Sequence, residues 1–465
     1  MRRTRLLATL GPASDSNEIL TDLIEAGADT FRINMSHAPH DWARDLAARV
    51  RHLAEGRDRP VGILFDLQGP SIRTGTLEDN FDLKIDDRVE FRLESAEAAI
   101  PLSTTVNYDG FVNDVEVGAS LLVDNGAIIM DVESVQKDRI VCVVKTAGEF
   151  GSRRHINLPG VRLNLPALTE KDHEDIKLAV ECNADFIAGS FVRDAEHVRE
   201  LRKTIQDAGG HALIVSKIED QEAIRNLDDI ITASDIIMVA RGDLGIEVHI
   251  EELPILQRRI IKRCLTIGRR VIVATHLLES MISSPTPTRA EVTDVSNACY
   301  EEADSLMVSG ETSIGKYPVR CLEILDRVTR RIERSGGLGY AREAILLTEK
   351  QKTVRAACNL ADSIPEALIV VFTRSGSTAV QTALLRPRAP IYAFTPDDVV
   401  CRSLSLARGV RPFQVEFAKR PKDTIAKAVD ILRSHRDIPT GTPLVIVSDT
   451  LQQDRPVDTI LIEHA

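Results

Sequence analysis

Two short stretches set carboxylates beside cations at the ends of apolar runs. Lys217-Ile218-Glu219-Asp220 follows Ala212–Ser216, and Arg241-Gly242-Asp243 follows Ile236–Ala240 with no spacer. Residues two apart on a strand share a face, so Lys217 and Glu219 point together and Ile218 points away. Glu219 and Asp243 supply two hard oxygen ligands, too few for a closed protein cage. Such a pair suits Mg2+, which keeps waters and takes its remaining ligands from a substrate phosphate. Lys217 puts a point charge where phosphoryl oxygens would sit. Gly242 admits close backbone approach. Leu244-Gly245-Ile246 is expected to open a helical turn whose free N–H groups suit an anion.

Other apolar runs end in polar groups too. One ends in Arg32, Asn34 and Ser36, which share a face, and the next ends in Asp66. Later ones end in Thr275-His276 and Ser309-Gly310-Glu311, and Arg73 follows in GPSIRTG (69–75). Each has an ordinary reading when taken alone. Asp243, Asn34 and Ser36 would be turn or cap residues. Thr275 would be a β-branched strand residue, His276 a rim residue, and either arginine half of a surface ion pair. At least five of eight strand ends carry such groups, and chance placement does not gather them at one mouth. Together they describe a Mg2+-dependent enzyme acting on a small phosphorylated or carboxylated anion.

The elements that must position these groups alternate. Strand-like runs are TRLLAT (4–9), TFRINMS (30–36), VGILFD (61–66), DFIAGSF (185–191), ALIVSKIE (212–219), DIIMVA (235–240), VIVAT (271–275) and SLMVS (305–309). Helix signals separate most of them: Ser14-Asp15 before a run stopping at Gly27, a capping box at Thr169-Glu170-Lys171-Asp172, and a run from Glu252 or Pro254 to Gly268. Eight strands alternating with helices read as α/β, a (β/α)8 TIM barrel, whose active site lies at the C-terminal strand ends. More than a hundred residues separate Asp66 from Asp185, too many for a loop. They read mostly as β, a small all-β domain inserted after strand three and suited to cover the mouth as a lid. Beyond Ser335–Gly339 a C-terminal α/β domain begins, with a helix expected over 340–362. The expected division is 1–69 and 163–336 for the barrel, 70–162 for the lid, and 337–465 for the C-terminal domain.

Composition narrows the class. The chain has 465 residues and a formal charge of −12, which argues against a nucleic-acid binder. The N-terminus is basic, but its apolar segment, Leu6–Leu10, is shorter than a secretory signal needs. No run approaches a membrane span. The seven cysteines form no CxxC pair and fit a reducing cytoplasm.

At the same residues the chain resembles the pyruvate kinase family. The likeness covers ATLGPAS (8–14), RINMSH (32–37), GPSIRTG (69–75), LVDNG (122–126), NLPG (157–160), LPALTEKD (165–172), SKIED (216–220), MVARGDLGIE (238–247), ATHLLESM (274–281), PTRAEVTDVSNA (287–298), SGETSIGKYP (309–318) and RPRAPI (386–391). These stretches stand in family order across nearly the whole chain. The resemblance implies a cytoplasmic homotetrameric phosphotransferase that moves the phosphoryl group of phosphoenolpyruvate to ADP, giving pyruvate and ATP. It implies Glu219 and Asp243 as ligands of Mg2+ or Mn2+, and Lys217 as the stabiliser of the phosphoryl group in flight. Backbone N–H groups of Gly242 and Asp243 would hold the substrate carboxylate, and Thr275 would lie near the protonated carbon. Arg32 and Arg73 would contact phosphates, with Asn34 beside the nucleotide. Arg241 resembles a residue at a subunit contact, and Ser309 and Glu311 resemble supporting residues.

In potassium-using members Asn34, Ser36, Asp66 and the Leu67 carbonyl would bind K+. Those members usually carry Glu where Ser71 stands, and potassium-independent ones usually carry Lys. Leu67-Gln68 resembles the independent type, and Gln is usual where His276 stands. Thr373-Arg374-Ser375-Gly376-Ser377-Thr378 resembles the family's effector-phosphate cradle, which takes a phosphorylated sugar. Its partner loop in fructose-bisphosphate-activated members corresponds here to Leu451-Gln452-Gln453-Asp454-Arg455-Pro456. That stretch is acidic and amide-rich, so a monophosphate effector or none is equally expected. Two other functions compete: a Mg2+-dependent barrel lyase or aldolase of oxoacid enolates, and a non-catalytic effector-binding homologue. The first would lack the insert after strand three. The second would not need Lys217, Glu219, Asp243 and Thr275 intact.

Overall fold

Runs of Val, Ile, Leu and Ala only four to six residues long become strands here because both of their faces are covered. The computed structural model describes residues 2–57, 59–434, 438–452 and 455–465. Its barrel strands are β1 (Arg5–Thr9), β2 (Thr30–Asn34), β3 (Gly62–Asp66), β4 (Phe186–Gly189), β5 (Leu213–Ile218), β6 (Ile236–Ala240), β7 (Arg270–Ala274) and β8 (Ser305–Val308). They are parallel and close on themselves in sequence order, β8 pairing β1 with Ala8 opposite Val308. Alternation along each strand divides two cores. Leu7, Leu64, Phe186, Val215, Met238 and Ile272 fill the barrel interior, while Leu6, Ile63, Ile187, Val239 and Val273 pack outward against the helices.

Helix boundaries follow local chemistry. Ser16 accepts the Ile19 N–H to start Asn17–Ala26, and Gly27 ends that helix at φ 110°. The capping box at Thr169 starts Glu170–Glu181, and Gly268, at φ 92°, ends Leu253–Ile267. Two expectations are corrected. The helix expected to open at Leu244 begins at Arg241 and runs to Glu247, so Gly242 and Asp243 lie in its first turn. The helix expected over 340–362 is broken: a short turn at Tyr340–Glu343 precedes a helix over Glu349–Ser363. The break follows from Thr348, whose side chain accepts the Gln351 N–H and starts a new helix, and from Ile345, whose N–H is taken by the Thr266 carbonyl.

Between β3 and β4 the chain leaves the barrel to build a six-stranded sheet and a two-stranded one. These have their own core, centred on Phe91, Phe111, Phe150, Leu121, Met130 and Ile140. Asp124, Asn125 and Gly126 make its expected tight turn with φ of 55°, 56° and 82°. A backbone bridge between Arg73 and His155 ties this insert together where it leaves and rejoins the barrel.

The C-terminal sheet contains β9 (Leu368–Phe372), β10 (Ile391–Thr395), β11 (Val410–Gln414), β12 (Pro443–Gln452) and β13 (Arg455–His464). Its order is β11-β10-β9-β12-β13, parallel except for the β12–β13 pair. This sheet docks on the N-terminal end of the barrel. Leu406 joins the barrel-interior core from below. Arg402 reaches Asp185 at 2.9 Å, and Arg270 donates to the Ser403 carbonyl at 2.9 Å. The seven cysteines are unpaired, six of them buried. Among the described residues no helix is long and apolar enough to cross a membrane.

Candidate active site

Strand ends β2, β3, β5 and β6 deliver the expected groups to one cavity of about 390 Å3 between barrel mouth and insert. Arg32, Asn34, Ser36, Leu67, Arg73, Lys217, Glu219 and Asp243 all line it. Lys217 and Glu219 share a face as the strand period requires. Lys217 Nζ lies 2.8 Å from Glu219 Oε1, 3.5 Å from Asp66 Oδ1, and donates to Ser190 Oγ at 2.8 Å. Ile218 pairs with Val239 on β6, so Glu219 and Asp243 follow neighbouring strand ends.

These charges hold one another. Burial alone would lower Lys217, but Asp66, Glu219 and Asp243 outweigh it and keep the ammonium above its ordinary value. Burial would raise Asp66, but Lys217 and Arg32 outweigh it and hold the carboxylate below its ordinary value. Arg32 Nε donates to Asp66 Oδ2 at 2.6 Å. Glu219 goes the other way: burial pushes it up, and nearby Asp243 adds to that against Lys217. One Glu219 oxygen accepts the Phe191 N–H at 2.6 Å. The other is buried and, among the described residues, pairs with the Lys217 ammonium at 2.8 Å without a hydrogen bond.

Gly242 and Thr275 sit together beside this cavity. The Gly242 N–H donates to Thr275 Oγ1 at 2.7 Å, and that hydroxyl donates to the Ala274 carbonyl at 2.7 Å. Thr275 and His276 have φ of 67° and 54°, a left-handed corner that costs on the order of 1 kcal/mol or more per residue. Arg241 holds that corner. It is buried and donates to the Ala274 and Thr275 carbonyls, to Gln257 and to Asp294. Within the chain its donors serve this corner. Glu311 accepts the N–H groups of Leu278 and Ser309 at 3.0 and 2.7 Å, bracing the ends of β7 and β8.

Residues that the strand-end reading passed over also reach the mouth. Ser190, at the end of β4, bridges Lys217 to the Leu67 carbonyl, donating to the latter at 2.8 Å. The signal was present, since Gly189-Ser190 ends the fourth apolar run. His155 and Arg153 arrive from the insert; no local pattern announces them. His155 packs against Phe191, with ring centroids 5.8 Å apart. Burial holds it below its ordinary value against the pull of Asp243.

The donor set fits a divalent cation at Glu219 and Asp243. Two carboxylates from adjacent strand ends face the cavity, one with a buried oxygen that accepts no hydrogen bond. Among the described residues no group of three or more His, Cys, Asp or Glu forms a protein-only cage. Of the oxygens expected to hold K+, three residues' groups have partners, while Asp66 Oδ1 is buried without a hydrogen bond among the described residues. Asn34 Oδ1 accepts the Ser36 N–H at 3.2 Å, Leu67 accepts from Ser190, and Asp66 faces Arg32 and Lys217. Ser71 Oγ accepts from Arg73 Nε at 3.3 Å.

The expected effector residues lie apart from this mouth, in the C-terminal domain. Thr373–Thr378 forms the turn from β9 into the helix Ser377–Leu384, with Gly376 at φ 82° as its N-cap. Arg374 lies over the Phe417 ring, 5.0 Å from its centroid. Of the partner stretch Leu451–Pro456, residues 453 and 454 and all six side chains lie outside what the structure describes.

Two family models match this chain: the pyruvate kinase barrel domain over residues 1–322, and the pyruvate kinase alpha/beta domain over residues 351–462. Among curated relatives, the chain is 41% identical over 455 residues to plastidial pyruvate kinase 2 of Arabidopsis thaliana, spanning 97% of this chain and 78% of that protein. It is 37% identical over 466 residues to a pyruvate kinase of Geobacillus stearothermophilus, with coverage of 97% and 78%. A pyruvate kinase of Dictyostelium discoideum is 36% identical over 464 residues, with coverage of 97% and 92%.

Proposed function

The chain belongs to the pyruvate kinase family, and we propose that its barrel mouth moves the phosphoryl group of phosphoenolpyruvate to ADP, giving pyruvate and ATP. The observation that carries this reading is Lys217: a buried ammonium held between Glu219, Asp66 and Ser190 at the floor of the cavity. A β-phosphate oxygen of ADP attacks phosphorus, the bond from phosphorus to the enol oxygen breaks, and the enolate carbon then takes a proton.

Lys217 neutralises the phosphoryl oxygens as they pass between donor and acceptor. Glu219 and Asp243 are the residues to hold Mg2+ or Mn2+. When bound, that ion supplies charge neutralisation and a template for the phosphoryl and carboxylate oxygens. Arg32 contributes a guanidinium fixed by Asp66, and Arg73 a second one from the insert side, both toward phosphate oxygens. Asn34 lies on the nucleotide side of the same wall. Of the two N–H groups expected to hold the substrate carboxylate, that of Gly242 is already donated to Thr275 Oγ1, which leaves the role to Asp243 in the first turn of Arg241–Glu247. Thr275 orients the proton donor through its hydroxyl, which the Gly242 N–H and the Ala274 carbonyl already align.

The insert is read as a lid that carries Arg73, Arg153 and His155 over the mouth. The turn Thr373–Thr378 is read as a cradle for a phosphorylated effector, supported by its backbone N–H groups at a helix start and by Arg374 at its edge. A homotetramer in the cytoplasm is the expected setting, by likeness to the family.

A coupled assay with phosphoenolpyruvate, ADP and Mg2+, with lactate dehydrogenase reporting pyruvate, tests the reading. ATP-linked turnover that needs the divalent ion is expected. Purified, folded protein that forms no pyruvate with or without K+ would sink it.

A further inference from the structure

Far from the mouth, three arginines meet where the foot of the barrel joins the C-terminal sheet. Arg3 precedes β1, Arg386 follows the helix Ser377–Leu384, and Arg408 lies in the turn before β11. They line a cavity of about 130 Å3, closed on other sides by Pro387, Pro390 and Ile391. Arg408 is only 8% exposed. Among the described residues it has neither a hydrogen bond nor an ion pair, and its Nε is buried without a partner. The Nε of Arg386 is also buried without a partner. The other Arg386 nitrogens donate to the Glu302 carbonyl at 2.8 Å and the Ala383 carbonyl at 2.9 Å, and one lies 2.9 Å from Asp304. Arg3 Nη2 donates to the Arg388 carbonyl at 2.6 Å. Both oxygens of the nearby Glu333 are taken by the backbone N–H groups of Arg3 and Thr4.

Three guanidiniums therefore share one directly paired carboxylate, Asp304. Burial lowers Arg408 to about 10, with Arg386 and Arg3 adding to the effect against Glu333. It stays charged at neutral pH with Glu333 and Asp304 acting only at a distance, and a buried charge without a direct partner is costly. Flexibility does not excuse the placement. Arg5 Nε donates to the Ala407 carbonyl at 2.9 Å, and the Gly409 N–H donates to the Arg3 carbonyl at 2.9 Å. Both neighbours of Arg408 are thus pinned to the barrel.

We propose that this seam cavity binds a small free oxyanion, inorganic phosphate or sulfate, on Arg408 with Arg386 and Arg3. Guanidinium forks match such oxygens two at a time. The volume, about 130 Å3, is several times what one water needs and suits a small anion better than a sugar phosphate. An anion here bridges Arg3 of the barrel to two arginines of the C-terminal domain. It stabilises the docked form in proportion to the logarithm of its concentration.

The test uses the full chain. Radiolabelled phosphate binding is measured by equilibrium dialysis, and thermal unfolding is compared in phosphate and in chloride at equal ionic strength. Lys217→Met is run alongside, because phosphate also reaches the barrel mouth. Wild type and Lys217→Met are expected to share one phosphate site per chain that sulfate displaces and a sugar monophosphate does not. Arg408→Met should lose that site and the phosphate-dependent rise in unfolding temperature. In chloride it should melt higher than wild type, since the unpaired charge is gone. Arg3→Ala, at the rim, should bind about tenfold more weakly, and it decides the matter if Arg408→Met does not fold. Equal phosphate binding in wild type and these variants would overturn the proposal, as would displacement by the sugar phosphate at lower concentration than by sulfate.

Discussion

On the proposed function, Lys217 is the residue whose removal separates the two halves of the reaction. In that proposal phosphoryl transfer needs its charge, whereas proton exchange on pyruvate needs the carboxylates and the groups around Thr275. Lys217→Met should lower the transfer rate by at least about 10²–10³-fold while retaining exchange of pyruvate methyl protons in the presence of Mg2+. Kinetics and proton NMR on one preparation check both. Exchange lost with transfer kept would reverse the assignment. The same cluster predicts the response to K+. Asp66 is the one carboxylate among the four expected potassium ligands, and Arg32 and Lys217 already face it at 2.6 and 3.5 Å. Ser71 adds no charge of its own and sits on Arg73. Replacing K+ by choline at constant ionic strength should change kcat/KM by less than about threefold, under ~0.7 kcal/mol. A large activation by K+ would show that Asp66 is freed for the ion during turnover.

At the scale of elements, the helix Arg241–Glu247 links the mouth to the lid. Its first turn carries Asp243, and its last residue, Glu247, accepts from Asn157 Nδ2 of the insert at 3.1 Å. Burial pushes Glu247 up to about 7, with Asp220 and Asp243 adding to it against the Asn157 hydrogen bond. A carboxyl raised on folding contributes stability that is full below its unfolded value, near 4.5, and is lost as pH rises through about 7. The contact between lid and barrel should therefore loosen from about pH 4.5 to 7.5, by at most roughly 3 kcal/mol. Hydrogen exchange at Ile156–Leu158, corrected for intrinsic rates, should show extra opening across that range in wild type and none in Glu247→Gln. An identical pH response in the two would remove Glu247 as the cause. Sequence reading had limits at this same helix. All eight barrel strands were legible because strands buried on both faces leave unbroken apolar runs. Lys217 and Glu219 were legible because they follow a strict two-residue period. The start at Arg241 was not, since two glycines in seven residues mask a helix that only packing secures. Asn157 and His155 were invisible as partners, because an insert's reach over the mouth is set by long-range packing and leaves no spacing to read.

For the whole molecule, the decisive joint is the foot of the barrel, where buried charge stands beside the apolar contact of Leu406. Asp29 is 3% exposed. It receives Arg2, Arg5 at 3.0 Å, Arg59 at 3.6 Å and the Leu6 N–H at 2.9 Å. Arg5 in turn donates to the carbonyls of Ala407 and Val410, so one carboxylate orients the arginine that holds the C-terminal domain. Burial would raise Asp29, but Arg2, Arg5 and Arg59 outweigh it and hold its carboxyl below the ordinary value. The sign is opposite to that of Glu247. A depressed carboxyl contributes stability that is present above its unfolded value, near 3.9, and is lost as pH falls through the folded one. Asp29→Asn leaves the buried guanidiniums of Arg2 and Arg5, and the half-exposed one of Arg59, without their shared counter-charge and should cost about 3–5 kcal/mol at neutral pH. It should also flatten the loss of stability between about pH 5 and 3, since the titrating group is gone. Chemical denaturation across that range, with one probe on Trp42 in the barrel and one placed in the C-terminal sheet, reads both effects. The C-terminal probe should respond first, because the Arg5 anchor fails before the barrel core is reached. If both probes shift together and the acid slope matches wild type, the charge at Asp29 does not govern the joint.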